Sequence, residues 1–257
     1  ANVATAGAPL NLVVDDVDNT VNLDQGTNIT DLTLTAENTA STFALTAAAT
    51  KTLDVTANAA LSLTGNPFTD NPDDLTDVTV SGNSSVTLGD LSENNLDSFN
   101  ASNNTGGVTA TVSTTSSGDI EEFVFSGGDD DVTLASGTTT FNVDVEAGNG
   151  TDRFVADGDD LEGAESAIAA TLSNFEELEI NQISNPEAVN VGQLGFDDVI
   201  TNGTSGSDTL TLNEMADGGS VTLKGGGGTV VVDVPNAANE NDNVLTAEVT
   251  TGSSPLD

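Results

Sequence analysis

Short runs of alternating apolar and polar residues recur along the chain, broken by Asn, Asp, Gly and Ser. Asp31–Glu37 reads DLTLTAE, Thr52–Thr56 TLDVT, Ala60–Thr64 ALSLT, Asp77–Ser81 DVTVS and Ser85–Gly89 SVTLG. A period of two puts successive side chains on opposite faces, so each run predicts a strand with one apolar face. The inward pairs are Leu32/Leu34, Phe43/Leu45, Leu53/Val55, Leu61/Leu63, Val78/Val80 and Val86/Leu88. Thr occupies the opposite positions; it favours strands yet stays polar, so that face can meet water. The second half predicts further strands over Glu122–Ser126, Asp131–Ala135, Thr140–Glu146, Arg153–Ala156, Glu177–Ile180, Thr209–Asn213, Ser220–Lys224 and Thr229–Val234. Glu162–Leu172 (EGAESAIAATL) is the one helical candidate.

Successive inward pairs lie 11, 10, 8, 17 and 8 residues apart. Rungs of this kind predict an all-β fold, a β-solenoid or a β-sandwich-like stack of short strands, with at most one or two short helices. The irregular spacing leaves solenoid and sandwich open. Gly225–Gly228 predicts a loop or tight corner, and the rhythm fades over Asn236–Asp257. A soft boundary near Ser116–Glu121 separates a Thr/Asn-rich part, 1–118, from a Gly/Asp-rich part, 119–257; one continuous β structure is the alternative.

Composition sharpens this picture. Phe supplies all 9 aromatics, so the core must come from Val, Leu, Ile, Ala and Thr methyls, which suit thin repetitive β layers. With 42 Asp and Glu against 3 Lys and Arg, the net charge is −39. Self-repulsion of that size opposes a compact state unless salt screens it or divalent cations bind carboxylates. A chain without a basic patch is no partner for nucleic acid or for an anionic membrane surface. No apolar run approaches membrane-spanning length. The chain lacks Cys, so metal is the expected staple for a secreted β protein. The N-terminal stretch has no basic region of the signal-peptide kind, which is consistent with a mature chain, another export route or a fragment.

Catalysis is disfavoured by residue type. Without His or Cys there is no Ser-His or Cys-His nucleophile pair, and transition-metal sites lose their usual ligands. Lys51, Arg153 and Lys224 are the only cations for handling phosphate. A carboxylate pair for glycoside hydrolysis would lack Trp and Tyr platforms. The chain is therefore expected not to be an enzyme. Arg153 could pair with a neighbouring carboxylate, and Lys51 or Lys224 could form an inter-subunit salt bridge, but an ordinary exposed side chain is the expectation for each. Asn-x-Ser/Thr sequons at Asn28, Asn83, Asn100, Asn103, Asn149 and Asn202 are frequent enough in so Asn- and Thr-rich a chain to arise by chance.

Three Gly/Asp turns carry the candidate chemistry: Ala147–Val155 (AGNGTDRFV), Gly203–Thr211 (GTSGSDTLT) and Ser126–Leu134 (SGGDDDVTL). They resemble the RTX nonapeptide, G-G-x-G-x-D-x-U-x, in which glycines turn carbonyls inward, Asp supplies a carboxylate, and a large apolar residue starts the next strand. Such oxygens suit Ca2+. Carried over by position, the motif Asp is Asp152, Asp208 and Asp131; the apolar residue is Phe154 and Leu210 in the first two. Asp129 and Asp130 flank Asp131, Asn149 lies within the first motif, and Asp157, Asp159 and Asp160 follow Asp152. Candidate ligands are therefore Asp129, Asp130, Asp131, Asn149, Asp152, Asp157, Asp159 and Asp208, as scattered single sites. Further acidic clusters, Asp15/Asp16/Asp18 and Asp70/Asp73/Asp74, are expected to be solvated loops.

More broadly, Leu75–Leu134 contains LTDVTVSGNSSVTLGDL, LDSFNASNNTGGVTATV and FVFSGGDDDVTL, with LSNFEELEI at Leu172–Ile180 further on. Over roughly 75–235 this resembles bacterial surface-layer proteins with RTX-type calcium motifs. The resemblance implies secretion, a cell-surface location, calcium-dependent order, and self-assembly into a lattice or fibre; a cell-surface polysaccharide is a further candidate partner. It implies no catalytic residue. The alternatives are a segment of a repeat adhesin that binds glycan or another surface, and the non-catalytic part of a secreted hydrolase.

Overall fold

The structure, a computed structural model, describes residues 9–23, 29–65, 67–68, 75–92, 96–113, 120, 122–183, 185–202, 208–224, 228–235 and 245–250. It is an all-β solenoid of about nine turns. Contacts divide the chain into two compact units, Ala1–Thr133 with Asn142–Asp152, and Leu134–Phe141 with Arg153–Asp257.

In the first unit the strands alternate between two parallel sheets. One sheet runs Leu10–Val14, Asp31–Ala36, Thr52–Ala57, Asp77–Gly82, Ser98–Asn104, Glu122–Val124 and Asp144–Glu146. The other runs Val21–Asn22, Ser41–Thr46, Leu61–Thr64, Val86–Asp90, Val108–Val112 and Asp131–Leu134. All six inward pairs expected from alternation are buried, none more than 3% exposed. Because consecutive strands belong to different sheets, the repeat appears only at every second strand. Leu32 pairs with Leu53, Leu53 with Val78, Val78 with Phe99, Phe99 with Phe123 and Phe123 with Val145, steps of 21, 25, 21, 24 and 22 residues. Corners of different length produced the irregular spacing between neighbouring pairs.

This column makes the apolar spine of the unit. A rung of two short strands cannot bury its inward side chains alone, so each rung depends on its neighbours. Each fully buried aliphatic side chain contributes about 1.5–3 kcal/mol relative to exposure. Phe99 widens the spine: its ring centroid lies 5.6 Å from that of Phe123 and 4.9 Å from that of Phe125.

In the second unit one parallel sheet runs Arg153–Asp157, Glu177–Asn181, Asp198–Thr201, Ser220–Lys224 and Thr246–Thr250. A three-stranded parallel sheet runs Glu187–Asn190, Thr209–Asn213 and Thr229–Val232. Phe154, Leu178, Val199 and Val221 face the core, with Val189, Leu210 and Leu212 from the smaller sheet. Among the described residues there are three helices, α1 (Gly158–Leu161), α2 (Glu165–Ala169) and α3 (Val191–Leu194). The candidate helix 162–172 is realised only as α2. Gly163 at φ +78° ends the preceding turn, and the amide of Thr171 bonds Ile168 O instead of extending the ladder.

Asp198–Thr201 and Glu187–Asn190 are strands the alternation did not single out: each turns a single apolar residue inward, Val199 or Val189, so no apolar pair marks it. Leu10–Val14, Ser98–Asn104, Val108–Val112 and Thr246–Thr250 also lay outside the predicted set. The predicted Thr140–Glu146 strand is confined to Asp144–Glu146, and Thr229–Val234 to Thr229–Val232.

Candidate functional site

Two of the three Gly/Asp turns stack on one corner of the first unit. Glycine makes the stack feasible. Gly148 has φ +103°, and a Cβ there would collide with Ser126 O; at Gly150, φ +146°, a Cβ would lie 2.6 Å from Gly128 O. Only a residue without Cβ lets the successive backbones approach this closely.

The aspartates then tie one turn to the next. Asp130 is 2% exposed. Its Oδ1 accepts from Val108 N of the preceding turn at 2.5 Å and from Ser126 Oγ at 2.7 Å, and its Oδ2 accepts from Ser126 N at 3.0 Å. Asp152 is 0% exposed, and its Oδ1 accepts from Asp130 N at 2.8 Å. Asp129 Oδ1 accepts from Thr151 N at 2.9 Å. One turn earlier, buried Asn104 donates through Nδ2 to Ser84 O at 3.0 Å and accepts from Gly106 N at 2.8 Å. The corner is a polar ladder inside a β stack, satisfying amides that sheet pairing leaves unbonded.

This geometry shifts the motif register by one residue. Asp130, rather than Asp131, occupies the place of Asp152: Val108, Asp130 and Asp152 are linked at steps of 22 residues. The aligned segment is therefore Phe125–Thr133, and its apolar residue is Val132, 0% exposed, matching Phe154 at 1%. Asp131 begins the strand Asp131–Leu134. The two turns are also neighbours rather than scattered copies. The signal that could have located them is the 22-residue step itself.

Asn149 shares this corner, and the remaining candidate ligands lie elsewhere in the chain. Asn149 is exposed between Gly148 and Gly150. Asp157 precedes α1, and Asp159 is exposed in its first turn. Asp160, beside it, accepts from Gly137 N at 3.1 and 3.0 Å. Asp208 is half-buried, with its backbone carbonyl accepting from Thr229 N at 2.9 Å; residues 203–207 of its motif lie outside the described residues, as do Asp70, Asp73 and Asp74. Asp15 accepts from Asn38 Nδ2 at 3.0 Å and Thr39 N at 3.1 Å.

At this corner the aspartates are engaged by protein donors. Three protein donors already converge on Asp130, and among the described residues no group of three or more acidic side chains is placed to hold a metal ion. A cage of the RTX kind needs six to eight oxygens turned towards one point.

Burial pushes the Asp130 carboxyl above its ordinary 3.8; the bonds from Ser126 Oγ, Val108 N and Ser126 N oppose the shift, and neighbouring Asp129 adds to it. Burial likewise raises Asp160, against the bond from Gly137 N and with Asp157 and Asp159 repelling. A carboxyl raised in the fold holds its proton more tightly folded than unfolded. Its contribution is therefore fully present below pH 3.8 and lost as pH rises through the raised value. Urea unfolding at constant ionic strength should show stability falling from pH 4 towards pH 7, with a shallower fall in Asp130→Asn. Equal slopes would remove Asp130 from the account.

In the second unit, two of the chain's 3 cations meet on one carboxylate. Glu179 Oε2 lies 2.9 Å from Arg153 Nη1 and 3.4 Å from Lys224 Nζ, and Asn202 Nδ2 donates to Oε1. Lys224 thus makes an ion pair within the chain. Glu179 is 11% exposed but its partners are 29% and 40% exposed, so solvent screens the pair. Glu179→Gln should cost about 1 kcal/mol at low salt and less at high salt. Urea midpoints at the two ionic strengths check this.

Among the described residues no helix is long and apolar enough to cross a membrane. No protein-family model, curated protein or solved structure matches the chain.

Proposed function

We infer that the chain is a non-catalytic, extracellular structural solenoid whose copies assemble into a surface layer or filament. The observation that carries this reading is the stacked-rung fold with its buried Asp130 and Asp152 spent on joining turns. Such a body offers repeated flat sheet faces, a geometry suited to lateral packing. The sequence supports a non-catalytic role through the absence of His and Cys. A net charge of −39 makes association depend on cations. Calcium enters this proposal as a bridge between exposed carboxylates such as Asp129 and Asp159, within and between copies, rather than as a caged ion at the corner.

Negative-stain microscopy of the purified chain at low ionic strength, with calcium and then with EGTA, tests both parts. Ordered sheets or fibres that disperse on chelation are the expected result. Assembly indifferent to EGTA removes the calcium bridge; a chain that never assembles removes the structural role.

A further inference from the structure

The second sheet of the first unit has an outward face of unusual character for so acidic a chain. On strands Ser41–Thr46, Leu61–Thr64, Val86–Asp90 and Val108–Val112, the register places Thr42, Ser62, Thr87 and Thr109 in one column. Ala44, Thr46, Thr64 and Thr111 stand at the other outward positions of these strands. None is charged. Thr42, Thr64 and Thr109 are exposed, and the others half-buried. Acid borders the column: Asp90, at the end of its strand, pairs with Thr111 and accepts from Ser92 N at 2.9 Å, and Asp131 opens the following strand.

The other sheet of the same unit contrasts with this. There Asp54 stands between Thr33 and Thr79, and Asp31 and Asp77 flank Thr52. Bringing that face against its copy would set aspartate against aspartate.

We propose that the Thr42–Ser62–Thr87–Thr109 face is where a second copy of this chain docks, sheet face to sheet face. The reading rests on the self-assembly inferred above, and charge selects the face. Two copies at −39 each repel wherever acidic surfaces meet, and like charges placed opposite one another in a contact penalise it. A neutral strip escapes this cost. Its short side chains let the sheets approach to the usual separation of about 10 Å, and its hydroxyls can bond across the gap. With strands about 4.8 Å apart and residues rising about 3.3 Å, the strip covers roughly 300 Å² per copy. One such contact is weak, so order arises from many contacts made together.

Sedimentation velocity of the whole chain over a wide concentration range, with salt to screen long-range repulsion, reads the contact. Thr87→Asp/Thr109→Asp should weaken association about tenfold or more. Thr35→Asp/Thr79→Asp adds the same charge to the other sheet face and should leave association as in the unaltered chain. Thr87→Lys/Thr109→Lys makes the chain less acidic overall, yet should also weaken association, because lysines would then face lysines. Circular dichroism and urea midpoints identify the folded variants, and either charge reversal serves if the other does not fold. Equal loss in the two aspartate pairs, or stronger association of the lysine pair, overturns the docking face while leaving self-assembly standing. A chain that stays monomeric throughout overturns both, as does a monomer that uses this face only for polysaccharide or ice.

Discussion

Gly148→Ala is expected to lower stability by about 3 kcal/mol, enough to drop the melting temperature of a chain this size by about 10 °C. Two effects add. The backbone at Gly148 has φ +103°, a conformation that costs an L-residue about 1 kcal/mol or more. The new methyl would also run into Ser126 O of the adjacent turn, which is backbone and cannot rotate aside. The stack could relieve the clash only by spreading the turns, and that would lengthen the Asp130 N to Asp152 Oδ1 bond, now 2.8 Å. Gly65→Ala isolates the first effect. Gly65 has φ +79° but nothing within 4 Å of an added Cβ, so the substitution should cost only about 1 kcal/mol. Thermal melts of the two variants side by side decide the matter; equal losses would mean that the close approach of the turns contributes nothing.

The same corner shows how far the amino-acid pattern reaches. Alternation located the inward residues because a strand's period of two is independent of which strands pair: Leu53 and Val55 face inward in a sandwich or in a solenoid. Pairing is a different kind of information. Leu53 sits beside Leu32 and Val78 because the intervening strands, Ser41–Thr46 and Leu61–Thr64, belong to the opposite sheet. That follows from corner lengths, which vary and carry little hydrophobic signal. The candidate site suffered from the same ambiguity on a smaller scale. In Asp129-Asp130-Asp131 three adjacent carboxylates satisfy the turn pattern almost equally, and only burial of Val132 beneath the corner makes Asp130 the inward one. Glu179 was invisible for a further reason: its partners Arg153 and Lys224 are distant in sequence and come together only when the rungs stack.

Asp130→Ala should be the most damaging single change at the corner, costing about 3–5 kcal/mol. The substitution removes the acceptor of three donors, two of them backbone amides: Val108 N, which begins a strand, and Ser126 N, which follows one closely. Ser126 Oγ can turn to another oxygen, since Gly128 O already lies 3.4 Å away. Val108 N and Ser126 N have no such freedom, and each buried orphan costs about 1–3 kcal/mol. A lost carboxylate also leaves unfilled space in a buried corner. Urea unfolding of the chain and of this variant, each in EGTA and in calcium, separates the two roles that an inward aspartate can play. A residue that caps amides gives the same loss in both solutions. A calcium ligand gives a loss that appears mainly when calcium is present, because the metal stabilises only the fold that holds it. The arrangement of donors around Asp130 predicts the first outcome. A calcium-specific loss would instead require the carboxylate to leave Val108 N and Ser126 N and turn towards an ion.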